Sequence, residues 1–343
     1  MTQRDIETGG PSGTAEPDRP RPARMHDVAG KVALITGGDS GIGLGISHAM
    51  LRTGMRVIMT YRTDRHLEEA RRSLEGYDDR LRTVQLDVTD RATVMSLSGE
   101  IAQLFGKLHV LVCNAGVASM LPLSNASFDD WDWCMSVNVG GVFNCIRAFL
   151  PHIRAHGEGG HIVATSSMLG GLIAGPYWGV YSASKFAVVG MMEALRSELA
   201  ATNVGVSVFC PAGVRSNLGS SDRNRPPSLR EAGALDDTTL ALTERFHTGM
   251  RTVLENSAGT PPLMDPFEAG ERVLQGIRND DLYILSHAEY EQALRDRSEA
   301  LLASLPRGEP PVSPGRIALA QLARNPIYAE AAERRRRLST SNS

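Results

Sequence analysis

From Lys31 onward, short apolar runs alternate with segments whose apolar residues share one helical face, and this alternation leaves few folds open. The runs are Val32–Ile35, Val57–Thr60, Val84–Val88, Val110–Cys113, Ile162–Thr165, Val206–Cys210 and Tyr283–Leu285. Between them lie patterns such as Ile42, Ile46, Ala49 and Met50, spaced for one helical face. Strand and helix in regular succession build βαβ units, which require a parallel sheet covered on both faces. The expectation is an α/β protein: one doubly wound domain over residues 29–290, with a parallel sheet of about seven strands.

The flanks read differently. Residues 1–28 contain Pro11, Pro17, Pro20 and Pro22 and little apolar clustering, so they are expected to form a disordered tail. They carry no apolar stretch of the kind a secretory signal needs. Residues 215–263 hold polar, Gly- and Pro-containing stretches around a helical pattern near 238–255, too long for an ordinary connection, and suggest a lid or substrate loop. Met168, Leu169, Tyr177 and Trp178 are expected to wall the pocket beneath it. Residues 291–343 form a helical extension that ends in Arg334–Arg337, read as a solvated, frayed terminus.

Charge and cysteine usage narrow the function. Lys and Arg number 36 against 39 Asp and Glu. That balance gives no field favouring nucleic acid or an anionic membrane. No apolar run approaches the ~18 residues of a spanning helix. Cys113, Cys134, Cys145 and Cys210 form no CxxC and no Cys/His metal pattern; they read as buried thiols of a cytoplasmic protein, with no metal expected.

The first strand runs into Thr36-Gly37-Gly38-Asp39-Ser40-Gly41-Ile42-Gly43 and then a helix. Glycine admits positive φ and close approach of a phosphate, and the helix N-terminus supplies free N–H groups to hold it. Asp87, in Leu86-Asp87-Val88, and Asn114-Ala115-Gly116 stand at the ends of the third and fourth runs. Ligands of open α/β sheets bind at such carboxyl ends. Further on, Tyr181 and Lys185 stand four apart on a helical pattern and so share a face. An ammonium beside a phenol lowers its pKa. Ser166 and Ser167 end the fifth run, where a hydroxyl can bond a substrate oxygen.

Together TGGDSGIG, NAG, SVNVGGVFN, IVATSS and YSASK resemble the short-chain dehydrogenase/reductase family over about residues 28–290. The resemblance implies a Rossmann-like fold for that single doubly wound domain, a nicotinamide cofactor and a catalytic set of Asn138, Ser167, Tyr181 and Lys185. Tyr181 would be the general acid/base, Lys185 would lower its pKa and hold the ribose, and Ser167 would orient the substrate oxygen. Asn138 would hold a water in a proton relay. The cofactor would touch Gly37, Asp39, Ser40, Gly41, Ile42, Gly43, Arg62, Asp87, Val88, Asn114, Ala115, Gly116, Pro211, Gly213 and Val214, besides Tyr181 and Lys185. Relatives commonly pair into homodimers or homotetramers through the helices after Asn114 and at Tyr181.

Three departures stand out. Ser167 lies fourteen residues before Tyr181, where the family usually has thirteen, which places an insertion in the GPYWGV loop. Tyr177 has no lysine four residues on. The usual Pro-Gly after the sixth strand is Pro211-Ala212-Gly213, and Asp39 stands where NADP-preferring relatives often carry a basic residue. After the second run Arg62 replaces the acid that NAD-preferring relatives offer the ribose, so NADP is the expected cofactor, with NAD possible. A weaker likeness to dehydrogenases of lignin-type aryl ether alcohols implies a bulky, partly aromatic secondary alcohol or ketone as substrate. The same fold also admits non-redox acid/base work (an epimerase, dehydratase or cyclase) or a cofactor-sensing binding protein.

Overall fold

The structure, a computed structural model, describes residues 25–230, 235–255, 263–306 and 313–341. Seven parallel strands form one sheet: β1 (Val32–Ile35), β2 (Arg56–Tyr61), β3 (Leu81–Gln85), β4 (Val110–Cys113), β5 (Gly160–Thr165), β6 (Val204–Cys210) and β7 (Tyr283–Leu285). Their spatial order is β3-β2-β1-β4-β5-β6-β7. The chain winds outward from β1 to β3, then restarts at β4 on the other side of β1. The connections leaving the carboxyl ends of β1 and β4 therefore turn to opposite faces of the sheet and leave a crevice.

Each strand carries two faces of core. Leu34 and Leu111 join the cluster beneath α3 (Arg91–Phe105), α5 (Gly141–Ala155) and α6 (Gly179–Glu198). Ala33, Ile35, Val110 and Val112 join the opposite cluster beneath α1 (Gly41–Arg52), α2 (Leu67–Ser73) and α8 (Pro266–Asn279). β1, β4, β5 and β6 are buried throughout, so their sequences read as unbroken apolar runs. α1 and α8 cross closely because both are glycine at the contact: a Cβ on Gly45 would lie 1.8 Å from the Pro266 oxygen, and one on Gly270 2.1 Å from the Gly45 oxygen.

The third strand is displaced from its sequence expectation. It ends at Gln85, and Leu86, Asp87 and Val88 lie beyond it. β3 is an edge strand paired only with β2, up to Tyr61 opposite Gln85, so its own residues are half exposed and weakly apolar. Leu86 and Val88 are apolar because they are buried in the core beyond the strand end.

The tail boundary also moves. Met25 and Val28 are fully buried in the core on the α1 side, so the chain is packed from at least Met25; residues 1–24 fall outside the described residues. After α4 (Phe128–Met135), one turn of π-helix at Ser136–Gly140 leads into α5. α7 (Asp237–Glu255) precedes α8, and α9 (Glu291–Ala303), α10 (Pro314–Leu322) and α11 (Pro326–Ser341) follow β7.

The arginine run is exposed at Arg335–Arg337 but is anchored to the domain at its start. α11 returns to the domain, with Ile327 buried and the Tyr328 hydroxyl donating to Glu193 at 2.8 Å. Arg334 lies 3.2 Å from Asp280, and Arg335 3.2 Å from Asp281. Both aspartates are buried, and Arg196 of α6 pairs with Asp280 at 2.5 Å. Two adjacent carboxylates inside the domain require cations, and sequence alone does not show that the last helix supplies them.

Candidate active site

The crevice opens into a cavity of about 1180 Å³ along the carboxyl ends of the strands. Gly37, Asp39, Ser40, Gly41, Ile42, Arg62, Asp87, Val88, Asn114, Ala115, Gly116, Ser167, Tyr181, Lys185, Pro211, Gly213 and Val214 all line it. Gly43 and Asn138 lie behind its wall. Of the four residues expected to wall the substrate end, Leu169 and Trp178 do so. Met168 is instead a core residue whose N–H donates to the Pro211 carbonyl, and Tyr177, at φ 63°, does not line the cavity.

At one end stands the glycine turn. Gly37 and Gly41 adopt φ of 60° and 50°, and a Cβ on Gly41 would come within 2.9 Å of the Ser216 side chain. A Cβ on Gly43 would lie 2.1 Å from the Gly37 oxygen and 2.6 Å from Asn114 Nδ2. Threonines that sequence reasoning missed brace this turn. Thr36 Oγ1 accepts from the N–H groups of Asn114 and Ala115 at 2.9 and 3.0 Å, and Thr60 Oγ1 accepts from Gly37 N–H. Asn114 is a strut here: its amide donates to the Thr36 and Gly37 carbonyls, both at 3.1 Å, and its oxygen accepts from Thr165. A glycine-rich turn at the start of α1 fits a pyrophosphate, with the dipole and the free N–H groups of the helix start as its partners.

Beside the turn, Arg62 and Asp87 form a pair at 3.1 Å. Arg62 also donates to the Asn224 carbonyl, and Asp87 accepts from Thr89 N–H at 2.9 Å. Burial pushes the Asp39 carboxyl up, opposed by a backbone hydrogen bond and the positive field of His66 and Arg223.

The proton-transfer candidates meet at the middle of the cavity. Tyr181 and Lys185 project from α6 beneath the end of β5, and both are buried. Lys185 Nζ donates to the Thr165 carbonyl at 2.9 Å and lies 5.7 Å from the centre of the Tyr181 ring. Burial pulls the Lys185 ammonium down to about 8. Burial pushes the Tyr181 phenol up to about 12; a hydrogen bond with Ser167 acts against this, and the thiols of Cys134 and Cys210 add to it. In this arrangement the ammonium acts on the Thr165 carbonyl, and the phenol's polar neighbour is Ser167.

The side chain of Asn138 is bonded within the protein. The π-turn places its side chain against the loop after β4. Its oxygen accepts from Val117 N–H, and its amide donates to the Val117 carbonyl and to Ser184 Oγ, each at 2.9 Å. The side chain therefore ties α6 to the 114–117 loop with both amide hydrogens bound; Cys134 Sγ, at 3.3 Å, is a further contact. Gly116 keeps the space between them open, since a Cβ there would lie 3.2 Å from Asn138 Oδ1 and 3.3 Å from Lys185 Nζ.

The far end is closed by the segment after β6. Leu218–Asn224 and Pro227–Leu229 form short 3-10 turns over the cavity. Ser221 Oγ accepts from Ala118 N–H at 3.1 Å, and Arg225 pairs with Asp130 at 2.6 Å. The guanidinium also lies over the Trp133 ring at 5.3 Å. Asp130 is already fixed by a capping box with Ser127 at the start of α4. Residues 231–234 and 256–262 of the expected lid lie outside the described residues.

The family model for short chain dehydrogenases matches residues 31–226. The chain belongs to the short-chain dehydrogenase/reductase family. Among its curated relatives is a C alpha-dehydrogenase of a Sphingobium species, 31% identical over 282 residues that cover 82% of this chain and 88% of the relative. Another is 3beta-hydroxysteroid dehydrogenase 2 of Eggerthella lenta, 35% identical over 61% of this chain and 80% of that protein. A solved short-chain dehydrogenase/reductase from Burkholderia phymatum, in complex with NAD, superposes with a TM-score of 0.73 at 30% identity, covering 84% of this chain and all of that one. The chain is thus an oxidoreductase of this family acting at a CH–OH group with a nicotinamide cofactor. Among the described residues, no helix is long and apolar enough to cross a membrane.

Proposed function

We propose that this short-chain dehydrogenase/reductase interconverts a secondary alcohol and a ketone on a bulky, partly aromatic small molecule in the cytoplasm. The observation that carries the reading is that the buried Tyr181, Ser167 and Lys185 line one cavity that also contains the glycine turn. When bound, the nicotinamide supplies the hydride acceptor or donor. Tyr181 Oη takes the carbinol proton during oxidation and returns it to the carbonyl oxygen during reduction. Ser167 orients that oxygen, and Lys185 holds the ribose from the Thr165 side. Asn138 acts one layer back, by fixing the loop on which Ala115 and Gly116 stand. Trp178, Leu169 and Tyr290 give the substrate end an apolar, aromatic wall.

For the cofactor we propose a modest NADP preference with NAD also used. Arg62 and Arg223 both line the nucleotide end. The negative charge of Asp39 is offset by Arg223 and His66. Arg62 also holds Asp87 and Asn224, so Arg62→Ala should weaken both cofactors and NADPH more. Asp39→Ser is the cleaner variant and should shift the ratio of Michaelis constants toward NADPH by about tenfold. A wild type that clearly favours NADH would remove the preference.

A homodimer or homotetramer is supported by Phe128 of α4, 90% exposed, and Phe143 of α5, 55% exposed, two large apolar side chains with little cover of their own. Sedimentation of the purified chain measures this. The main test follows reduced-nicotinamide absorbance while the protein turns over aryl secondary alcohols. A change in absorbance matched to product supports redox; product without that change would make the enzyme an epimerase, dehydratase or cyclase.

A further inference from the structure

We infer that His287, in the segment leaving β7, is a specificity-determining hydrogen-bond donor at the substrate end of the cavity. It selects ketones and alcohols that carry an acceptor oxygen away from the reacting carbon. The inference rests on the alcohol/ketone reading above and names a feature of the substrate that reading leaves open.

The argument begins with Ser286, which is buried. Its Oγ accepts from Ala212 N–H at 3.0 Å, in the Pro211-Ala212-Gly213 turn that edges the cavity. Among the described residues the hydroxyl proton has one acceptor, Nδ1 of His287 at 2.6 Å. A Ser286 hydroxyl that donates to Nδ1 leaves the ring hydrogen on Nε2, and this is the tautomer on which the inference rests. The ring lines the cavity, stacks edge-on against Tyr290 with centroids 6.3 Å apart, and offers Nε2–H with no partner among the described residues. Its orientation is held from one edge by a hydrogen bond and from another by an aromatic ring. That is the arrangement of a preorganised donor.

The surrounding wall sharpens the point. Met120, Leu169, Trp178 and Leu263 present apolar surface, which favours the body of an aromatic or aliphatic substrate without orienting it. Arg245 and Glu289 also line this end, but both are exposed, where water competes for their hydrogen bonds. His287 is half-buried, and a site that desolvates a donor rejects a ligand unable to accept from it. An ether, phenolic or carbonyl oxygen on the substrate body answers that donor.

A matched pair of aryl ketones tests this, one with a ring methoxy group and the other with an ethyl group of the same shape. With the full chain and NADPH, the methoxy ketone should be preferred about tenfold in kcat/KM, with the difference carried by KM. In His287→Phe the ratio should fall to about one, and His287→Asn, which retains an N–H donor, should restore part of it. Nitrogen-15 spectra of the resting protein should show His287 with an accepting Nδ1 and a protonated Nε2. The methoxy ketone, added with no turnover, should shift the Nε2–H signal and its ethyl counterpart should not. Equal kcat/KM values in the wild type, a ratio unchanged in His287→Phe, or a proton on Nδ1 would each overturn the inference. If neither ketone is reduced, it is the alcohol/ketone reading that fails, and the nitrogen-15 titration then decides the donor role by itself: equal shifts with both ketones refute it.

Discussion

The nucleotide half of the cavity and the substrate half are built by different means. The first uses backbone: glycines without Cβ, threonine hydroxyls bonded to neighbouring N–H groups, and a helix start, all carried on β1, β2 and β4. The second uses side chains that bond between distant segments, as Arg225 does to Asp130 and Ser286 to Ala212. A backbone site tolerates few residue types but has short-range sequence signatures. A side-chain site leaves scattered residues that acquire meaning only when the segments meet.

The variants that separate these halves most are at their junction. Tyr181→Phe should keep the fold and cofactor affinity while turnover drops by ~10²–10⁴-fold, the usual worth of a positioned acid/base. Titration of the reduced cofactor by fluorescence and steady-state rates read the two quantities separately, and near wild-type turnover would remove Tyr181 from the chemistry. The pH dependence follows from the same group. Its phenol, pushed up to about 12 by burial, is protonated at neutral pH. Reduction, which uses the protonated form, should be flat there, while oxidation, which uses the phenolate, should rise as pH rises. Parallel profiles in the two directions would contradict this.

Next in size is Gly43→Ala. Its Cβ would collide with the Gly37 carbonyl, so the nucleotide half should lose cofactor affinity at least tenfold and some stability, with substrate preference unchanged. Arg225→Ala attacks the other half by leaving the buried Asp130 without its guanidinium. Burial alone would raise the Asp130 carboxyl, but bonds from Ser127 and Arg225 hold it below its ordinary value. The ion pair thus contributes stability above the usual carboxylate range and loses it as pH falls through the lowered folded pKa. Breaking a buried pair costs on the order of 3–5 kcal/mol, and the 217–230 segment should then exchange amide hydrogens faster and substrate KM should rise several-fold. Unchanged exchange there would show that the segment is held by other means.

The smallest expected effect lies at the N-terminus. Deleting residues 2–24 should leave the melting temperature within about two degrees, whereas deletion through Val28 should lower it by several, because Met25 and Val28 are core side chains. Equal melting temperatures for the two deletions would place those residues outside the cooperative unit.

The strands, the glycine turn and the Tyr181–Lys185 pair were legible because each depends on neighbours within about eight residues. The end of β3 was not, since the apolar Leu86 and Val88 are buried beyond the strand rather than within it. Nor was Asn138. The signal that could have found its role is the break in helical regularity at Ser136–Gly140, where a π-turn redirects the side chain toward Val117.

The order of strands along the chain and the residues that avoid a side chain near a phosphate follow from sequence, because local sterics and alternating burial act residue by residue. Which charges find partners does not. Arg334 of α11 and Arg196 of α6 stand far apart in the chain, yet both close on the buried Asp280, and Arg225 likewise closes on Asp130. A charge removed from water must be met by whatever side chain the fold brings within reach, and only tertiary structure sets that distance.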